Sequence, residues 1–319
     1  MKAIRVHQTG GPEVLTLEEV PRPVPGPGEV LVRVHAAALN PPDWYARRGF
    51  ANIPESVRPK VTLPFTPGSD ISGVVAGVGP GVTEWREGDE VYGLIRFPRV
   101  GDHGGRGYAE YTTAPVGHLA RKPVSVDHVG AAAVPMSGLT AYQYVHDVIG
   151  LAPGSRVLVN GAAGGVGHFA AQLAADLGAH VIGVASGRHE AFLKDLGVAE
   201  FVDYTQFAAE DVVRDVDVLI DTVGGPRGHR FLPALRDGGT LGPVFLGDYD
   251  DEAAARRGIV LRSGQVRSDG GQMAVLAGLI DAGRLRVGID SVFALEEAAA
   301  AHERAERGHI QGKIVLRVD

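Results

Sequence analysis

Short apolar runs broken by proline and glycine dominate the first third of the chain. Residues 29–37 (EVLVRVHAA) and 71–79 (ISGVVAGVG) are rich in valine and small residues, and a proline- and glycine-rich stretch at 21–29 precedes the first run. Apolar runs of this length, bounded by turn-forming residues, are typical of β-strands. The pattern predicts a strand-rich portion from residue 1 to about residue 117.

The pattern changes after residue 155, where apolar runs alternate with helix-like stretches. The runs lie at 156–160, 180–185, 216–221 and 239–246. Buried strands that alternate with helices are the arrangement of βαβ units around a parallel sheet. We therefore expect an α/β portion with a doubly wound parallel sheet.

The last part of the chain has the pattern of two helices followed by a strand. Residues 275–283 and 295–308 have helical apolar spacing, and 313–319 (KIVLRVD) is strand-like. Sequence spacing does not decide which of the two portions these elements complete.

A glycine-rich turn joins the run at 156–160 to an amphipathic helix. Gly161, Gly164 and Gly167 have the spacing G-x-x-G-x-x-G. The helix carries its apolar residues on one face, at Val166, Phe169, Ala170, Leu173, Ala174 and Leu177. A strand, a glycine turn and a helix in this order bind the pyrophosphate of a dinucleotide through free backbone N–H groups. The same glycines also suit an ordinary turn, so the context favours the nucleotide site more than the glycines alone do. The candidate cofactor-binding residues of the turn are Gly161, Ala163, Gly164, Gly165 and Val166.

The residues after the run at 180–185 indicate which dinucleotide binds. Proteins specific for NAD place an acid near this point to bind the ribose 2′-OH, whereas this chain has Ser186 and Arg188. A hydroxyl and a guanidinium suit a 2′-phosphate, because Arg makes charge-assisted bonds to phosphate. The sequence thus favours NADP(H) over NAD(H), although a solvent-exposed Arg188 at the start of a helix would give the same sequence.

Length and charge narrow the function classes further. A chain of 319 residues exceeds one typical core, so we expect two domains. The net charge of −7 gives no attraction for a nucleic-acid backbone, and no apolar run is long enough to span a membrane. The N-terminus lacks the pattern of an export signal, and the absence of cysteine excludes disulfides and thiolate chemistry. We expect a cytoplasmic protein that binds neither nucleic acid nor a membrane.

A series of motifs runs through nearly the whole chain. They lie at 40–49 (NPPDWYARRG), 63–70 (LPFTPGSD), 73–79, 88–92 (GDEVY), 137–142 (SGLTAY), the glycine turn and 309–315 (HIQGKIV). Together they resemble the zinc-independent medium-chain dehydrogenase/reductases, specifically the zeta-crystallin-like quinone oxidoreductases. The resemblance implies a mainly β, GroES-like catalytic domain built from 1–119 and 267–319. It also implies a Rossmann-type domain that binds NADP(H) at 120–266, with the cofactor in the cleft between the two.

The chain departs from the zinc-dependent relatives of this family at the metal ligands. Those relatives carry a cysteine where Asn40 stands, a His-Glu pair where Ser69 and Asp70 stand, and a further lobe with four cysteines. This chain has no cysteine, and its 12 histidines lack metal-ligand spacing. We therefore expect a mechanism without a metal.

The resemblance also implies roles for individual residues. It puts Asn40, Asp43 and Tyr45 beside the nicotinamide and the substrate as catalytic candidates, where Tyr45 either donates a proton or only shapes the pocket. Tyr204 matches a position beside the 2′-phosphate, with a buried structural tyrosine as the alternative. The other cofactor-binding candidates are Asn40, Thr140, Val223, Phe245, Leu246, Gly264, Val266 and Lys313. For the last three, an ordinary strand-end or surface position is an equally good interpretation.

The predicted function is that of an NADPH-dependent oxidoreductase that transfers a hydride to a quinone or another conjugated carbonyl acceptor. Trp44, Tyr45, Phe50 and Phe97 indicate an apolar pocket that accepts aromatic groups, or else local packing. Two alternatives stay open, an enoyl or alkenal reductase and a non-catalytic NADPH-binding sensor protein. The resemblance further suggests a homodimer paired through edge strands, for which 258–262 (GIVLR) is the candidate segment.

Overall fold

The computed structural model describes residues 1–51, 53, 55–95 and 106–318. Within these ranges the chain forms a six-stranded parallel sheet, a seven-stranded mainly antiparallel sheet and a two-stranded hairpin. The mixed α/β class and the doubly wound parallel sheet predicted from the sequence are confirmed.

The first portion is rich in strands, as its apolar pattern predicts. Its elements are β1 (Lys2–Val6), β2 (Leu15–Glu19), β3 (Glu29–Ala38), α1 (Pro41–Arg47), β4 (Asp70–Val78), β5 (Glu90–Leu94), β6 (Tyr111–Pro115) and β7 (Leu119–Arg121). The connection to the next portion consists of α2 (His128–Ala132) and α3 (Pro135–Tyr142), which continues into a π-helical turn at Gln143–Val148.

The second portion alternates strands and helices. Its elements are β8 (Arg156–Asn160), α4 (Gly165–Asp176), β9 (His180–Ala185), α5 (Glu190–Asp195), β10 (Glu200–Asp203), α6 (Ala209–Val212), β11 (Val216–Asp221), β12 (Leu235–Pro243), α7 (Asp251–Arg256) and β13 (Val260–Leu261). The strand order is β10-β9-β8-β11-β12-β13, and every pair is parallel. The chain changes direction across the sheet between β8 and β11, so a ligand crevice is expected at the carboxyl ends of these strands.

The last elements of the chain complete the first sheet, a point that sequence spacing does not decide. They are α8 (Gly270–Asp281), β14 (Ile289–Ala294), α9 (Ala298–Glu306) and β15 (Lys313–Arg317). Strands β14 and β15 complete the first portion, because the second sheet has the order β14-β15-β3-β4-β5-β7, with β6 paired to β3. The chain therefore returns to its first sheet after it has built the parallel one.

Short 3₁₀ helices join several of these elements. They lie at Pro12–Val14, Glu55–Val57, Val116–His118, Gly187–His189, Gly228–Ala234 and Leu295–Glu297.

Both faces of the parallel sheet are buried, which explains its uninterrupted apolar strands. In β8, Val157 and Val159 pack on the same side as Phe169 of α4, whereas Leu158 packs on the other side with Phe231. The core leaves only the strand ends open, and this places the polar loops after each strand along one edge.

The element boundaries differ from the sequence pattern where capping decides them. Helix α8 begins at Gly270, earlier than residue 275, because the Asp269 side chain accepts a hydrogen bond from Gln272 N at 3.0 Å. Strand β12 ends at Pro243, so residues 244–246 at the end of this apolar run lie in the loop after the strand, as their predicted place beside the cofactor requires.

Candidate active site

The glycine turn lies between β8 and α4 and leaves the start of α4 open. Gly161 has a φ of +74°, and a Cβ there would lie 2.5 Å from Thr222 Oγ1. A Cβ on Gly167 would lie 2.2 Å from the carbonyl oxygen of Gly161, so only glycine fits both positions. Among the described residues no side chain caps the helix at Gly164. The first N–H groups of α4 are therefore available to a phosphate.

A cleft of about 550 Å³ runs past this turn, at the carboxyl ends of β8, β9 and β11. Leu39, Trp44 and Ile310 contribute to the opposite wall, from the first sheet and its connections. The predicted cofactor residues that line the cleft are Gly161, Ala163, Gly164, Gly165, Val166, Ser186, Tyr204, Val223 and Lys313. The predicted residues that are described but do not line it are Asn40, Asp43, Tyr45, Thr140, Arg188, Phe245, Leu246, Gly264 and Val266.

The lining of this cleft is basic although the chain is acidic. Arg227, Arg230 and Lys313 line it together with His189 and His309, and no Asp or Glu of the described part of the chain does so. The chain as a whole has a net charge of −7. A cavity that concentrates positive charge attracts anions. The cleft thus suits a ligand with several phosphate groups.

Ser186 and Tyr204 stand side by side at the ends of two neighbouring strands. Tyr204 N donates to the carbonyl oxygen of Ala185, the last residue of β9, at 3.1 Å. The Oγ of Ser186 is buried and has no hydrogen-bond partner among the described residues. Buried hydroxyl groups are normally paired, so this one is available to a ligand. The Tyr204 hydroxyl lies 3.0 Å from His309 Nδ1.

Arg188 is exposed, and its guanidinium bonds to the chain itself. Its Nη2 donates to the carbonyl oxygen of His309 at 2.6 Å, and its Nε donates to His189 Nε2 at 3.1 Å. The carboxylate of Asp203, at the end of β10, accepts hydrogen bonds from Thr205 and Gln206. A direct bond between Arg188 and a 2′-phosphate stays a prediction.

Asn40 lies at the start of α1 in a buried polar cluster. Its Nδ2 donates to Asp70 Oδ2 at 2.9 Å, and its Oδ1 accepts a hydrogen bond from Lys313 Nζ. One partner is an acceptor and the other a donor, so the orientation of the amide is fixed. Lys313 Nζ also donates to the carbonyl oxygen of Leu39 at 2.7 Å. The cluster thereby joins α1, β4 and β15 beneath the cleft.

Asp43 supports the same helix from its first turn. Its Oδ2 accepts a hydrogen bond from Asn40 N at 2.8 Å, and its Oδ1 accepts one from Gly68 N at 3.0 Å. The Tyr108 hydroxyl donates to Asp43 Oδ2 at 3.3 Å. These contacts give Asp43 a positioning role for α1, because both of its carboxylate oxygens accept hydrogen bonds that tie the start of the helix to Gly68 and Tyr108.

Burial shifts the acidity of the charged members of this cluster. It raises the pKa of Asp43 to about 6 and that of Asp70 to about 7, while Lys313 and the hydrogen bonds act in the opposite direction. Burial lowers the pKa of Lys313, and the two carboxylates oppose this shift. A buried group favours its neutral form unless a partner compensates.

Tyr45 lies beside Trp44, which lines the cleft, and packs against the loop after β12. Its ring centroid is 5.6 Å from that of Phe245 at an interplanar angle of 30°, and Trp44 meets it edge-on at 5.9 Å. Burial raises the pKa of Tyr45, so its hydroxyl stays protonated. Leu246 and Val223 are 64% and 55% exposed, and they add apolar surface. Of the other aromatic residues predicted for this pocket, Phe50 packs against the core of the first sheet, and Phe97 lies outside the described residues.

Three further predicted residues are engaged within the protein. The Thr140 hydroxyl donates to the carbonyl oxygen of Met136 at 2.6 Å inside α3. The N–H of Gly264 donates to the Tyr144 hydroxyl at 3.3 Å, and that hydroxyl donates to the carbonyl oxygen of Gly264 at 3.1 Å. Val266 packs against the hydrophobic core. Contact of these residues with the cofactor stays a prediction.

Sequence reasoning missed the arginines of this cleft. Arg227 and Arg230 follow β11 and the predicted cofactor segment at 221–225, and both line the cleft. Their place just after a strand of the parallel sheet was the available signal, because loops at this edge face the ligand. His309 was read only as part of a motif, yet it contacts Tyr204 and Arg188.

The residues around Asn40 do not fit a catalytic zinc ion. Zinc sites use thiolate, imidazole or carboxylate ligands, whereas the positions in question carry an amide at Asn40 and a carboxylate at Asp70, which lies 3.8 Å from the Lys313 ammonium. An ammonium at this point repels a metal cation. Within the described ranges no three His, Cys, Asp or Glu side chains are grouped so that they could hold a metal ion.

No helix in the same ranges is both long and apolar enough to cross a bilayer.

Comparison with known proteins agrees with this architecture. Residues 26–124 match the alcohol dehydrogenase GroES-like domain, and residues 196–316 match a family described as zinc-binding dehydrogenase. The quinone oxidoreductase of Sus scrofa is 32% identical over 338 aligned positions, which cover 99% of this chain and 97% of the relative.

Solved structures show the same similarity. The quinone oxidoreductase of Coxiella burnetii superposes with a TM-score of 0.90 at 34% identity, covering 100% of this chain and 99% of the other. A mycobacterial protein solved in complex with NADPH superposes with a TM-score of 0.86 at 30% identity, covering 100% of both chains. With the glycine turn, the phosphate-suited cleft and both domain types in place, the chain belongs to the quinone oxidoreductase family of the medium-chain dehydrogenase/reductases and is an NAD(P)H-dependent oxidoreductase.

Proposed function

We propose that this enzyme reduces quinones with NADPH and does so without a metal. The observation that carries the choice of cofactor is the basic cleft, which has no carboxylate among its described lining residues and contains the unpartnered Ser186 hydroxyl. An acid for a ribose 2′-OH is what an NAD site needs, and a hydroxyl with positive charge nearby is what a 2′-phosphate needs. The NADPH complex of the mycobacterial relative is in line with this choice.

The residues that would hold NADPH divide by the part of the molecule that they meet. The N–H groups at the start of α4 suit the pyrophosphate. Ser186 and Tyr204 suit the adenosine 2′-phosphate, with Arg188 as the further residue predicted from the sequence. The proposed contacts of the nicotinamide half are Asn40, Lys313, Thr140, Val223, Phe245, Leu246, Gly264 and Val266. When bound, the cofactor supplies a hydride, and the reduced acceptor takes a proton from solvent or a nearby hydroxyl.

The protein's own contribution is placement. Asp70 and Lys313 lock the Asn40 amide, and Asp43 fixes the helix that carries Trp44 and Tyr45. A preorganised site lowers the barrier by holding reactants in a productive geometry. No residue in this arrangement needs to act as a strong acid.

The aromatic cluster of Trp44, Tyr45 and Phe245 beside the cleft favours a planar, apolar acceptor. Tyr45 and Phe245 face each other at 5.6 Å, with Trp44 and the exposed Leu246 beside them. Aromatic rings pack well against flat unsaturated ligands. A quinone fits this description. A conjugated enone, which accepts the hydride at its β-carbon, fits it as well, so an enoyl or alkenal reductase is the second candidate.

Assembly and domain boundaries belong to the same proposal. The catalytic domain would comprise 1–119 and 267–319, and the cofactor domain 120–266. Strand β13 is an edge strand with Val260 and Leu261 at 46% and 36% exposure, which supports a homodimer paired through this edge. Residence in the cytoplasm is compatible with the absence of cysteine.

The experiment is a steady-state assay of NADPH consumption with a panel of quinones and enones, and with NADH in parallel. We expect turnover with quinones and a higher kcat/KM for NADPH than for NADH. Turnover with enones alone would replace the function by the second candidate. Tight NADPH binding without consumption by any of these acceptors would contradict the proposed reaction.

A further inference from the structure

We propose that Arg227 and Arg230 bind the 2′-phosphate of NADPH and set the preference for this cofactor, an inference that rests on the proposed function. Neither residue belongs to the motifs that identify the family in this sequence. Both lie in the segment that follows β11. This strand is next to β8 and two places away from β9, after which Ser186 lies. They line the same cleft as Ser186 and Tyr204.

A side cavity gives the phosphate a place. It has a volume of about 350 Å³ and shares Tyr204, Arg227 and Arg230 with the cofactor cleft. Thr205 and Gln206 add polar groups to its wall, and Glu210, the ion-pair partner of Arg230, also lines it. The three shared residues therefore lie where the two cavities meet, and this junction is where the 2′-phosphate would bind.

Arg230 is held in place but is not saturated with hydrogen bonds. Its guanidinium lies over the ring of Phe231, 4.6 Å from the centroid. Its Nε is buried and has no hydrogen-bond partner among the described residues, and the nearest atom of its ion-pair partner, Glu210 Oε1, is 3.9 Å away. A fixed guanidinium with an unused donor is suited to a phosphate oxygen, because it loses little side-chain freedom on binding.

Arg227 adds a second positive charge at the same junction. It is exposed, and no carboxylate of the described residues forms an ion pair with it. Arg188 differs from both arginines, since its Nη2 and Nε already donate to His309 and His189. A phosphate would therefore meet free donors on Arg227 and Arg230 but would have to compete for those of Arg188.

The test compares the binding of two nucleotides that differ only in the 2′-phosphate. Isothermal titration calorimetry would measure adenosine 2′,5′-bisphosphate and adenosine 5′-monophosphate on the full-length protein and its variants. We expect Arg230→Met and Arg227→Met each to weaken the bisphosphate by about tenfold, as for the loss of a charge-assisted bond, and to leave the monophosphate within about twofold. The unchanged monophosphate affinity also shows that the variants are folded.

Glu210→Gln gives a change of the opposite sign. Removal of this carboxylate frees Arg230 and takes away a like charge, so the bisphosphate is expected to bind about two- to fivefold more tightly. Because the loss of this like charge acts on a phosphate at the junction whatever Arg230 does, this variant tests the position of the phosphate, and the two Met variants test the arginines. Arg256→Met, an exposed arginine on α7 outside the cleft, is the matched control and should change neither affinity.

The outcomes separate this inference from the proposed function. If the unmodified protein binds both nucleotides equally, the NADPH preference and the arginine assignment both fail. If it prefers the bisphosphate but Arg227→Met and Arg230→Met leave the preference intact, or if Arg188→Met lowers it more than they do, the arginine assignment alone is overturned.

Discussion

Lys313 Nζ lies 3.8 Å from Asp70 Oδ2, with the two side chains only 4% and 0% exposed. Both residues bond to the side-chain amide of Asn40, Lys313 as a donor to Oδ1 and Asp70 as an acceptor from Nδ2. Because neither charge reaches water, each depends on the other and on its hydrogen bonds for compensation. The pair therefore does two things at once, since it fixes the amide below the cleft and links β4 to β15.

The buried carboxylates predict a pH dependence of stability. Burial raises the pKa of Asp70 to about 7 and that of Asp43 to about 6. The folded state then binds protons more tightly than the unfolded state, so the stabilisation from these groups is complete at acidic pH and is lost as the pH rises from about 4 to about 7. Each group can contribute a slope of up to about 1.4 kcal/mol per pH unit within that window.

Asp70→Asn tests this dependence. Urea unfolding between pH 4 and pH 8 should show a smaller decrease in the free energy of unfolding with pH than the unmodified protein shows. Glu87→Gln removes an exposed carboxylate and is the control for the change in net charge. An unaltered slope in Asp70→Asn would contradict the assignment of this proton to Asp70.

The glycine turn predicts a sharp difference between two glycine substitutions. Gly167→Ala places a Cβ 2.2 Å from a backbone oxygen that cannot rotate away. We expect a loss of about 2 kcal/mol in stability and of NADPH binding, measured by urea unfolding and calorimetry. Gly278→Ala in α8 meets nothing within 4 Å and should stabilise the protein by about 0.5–1 kcal/mol. Retention of full NADPH affinity by Gly167→Ala would argue against a phosphate at this turn.

The fold could be predicted from the sequence to the extent that its signals are local. The glycine turn, the apolar strands and the helix at α4 are each encoded within about a dozen residues, and the structure confirms them. The start of α8 was misplaced because the Asp269 cap, not the apolar pattern, decides it. The membership of β14 and β15 depends on pairing with β3, which lies far away in sequence, and spacing alone does not reveal it.

The site residues could be predicted from the sequence only where a local motif or the order of neighbouring strands determines their position. Ser186 and Tyr204 come together because they end neighbouring strands, a relation that the βαβ pattern implies. The contact of Lys313 with Asn40 joins residues 273 positions apart, and the basic lining combines arginines after β11 with histidines near the C-terminus. Such contacts follow from tertiary packing, so sequence spacing alone does not reveal them.

The aromatic cluster of Trp44, Tyr45 and Phe245 predicts separate effects of removing the Tyr45 hydroxyl and removing its ring. Among the described residues no group hydrogen-bonds to this hydroxyl, and burial raises the pKa of Tyr45, so we expect a role in shaping the pocket. Tyr45→Phe should keep kcat within about threefold, whereas loss of a general acid costs about a hundredfold or more. Tyr45→Ala should raise the KM for the quinone by up to about tenfold through loss of the contact with Phe245. A large fall in kcat for Tyr45→Phe, seen in the steady-state assay, would instead identify Tyr45 as the proton donor.

The exposed edge of the parallel sheet predicts the oligomeric state. Charges introduced by Val260→Lys and Leu261→Lys should convert the proposed homodimer into a monomer in sedimentation velocity, because like charges would face each other across the paired edges. Val124→Lys alters a valine that is 85% exposed elsewhere and serves as the control. A monomeric unmodified protein, or a dimer that survives both lysines, would place the interface elsewhere or remove it.

The most direct test of metal-free, NADPH-dependent quinone reduction is turnover by protein whose metal content has been brought to zero. The protein would be treated with a strong chelator, checked by mass spectrometry for residual metal, and assayed for NADPH oxidation and hydroquinone formation with p-benzoquinone. We expect equal amounts of NADPH consumed and hydroquinone formed, at a rate that neither metal removal nor added zinc changes. A rate that disappears with the metal and returns with zinc would contradict the account.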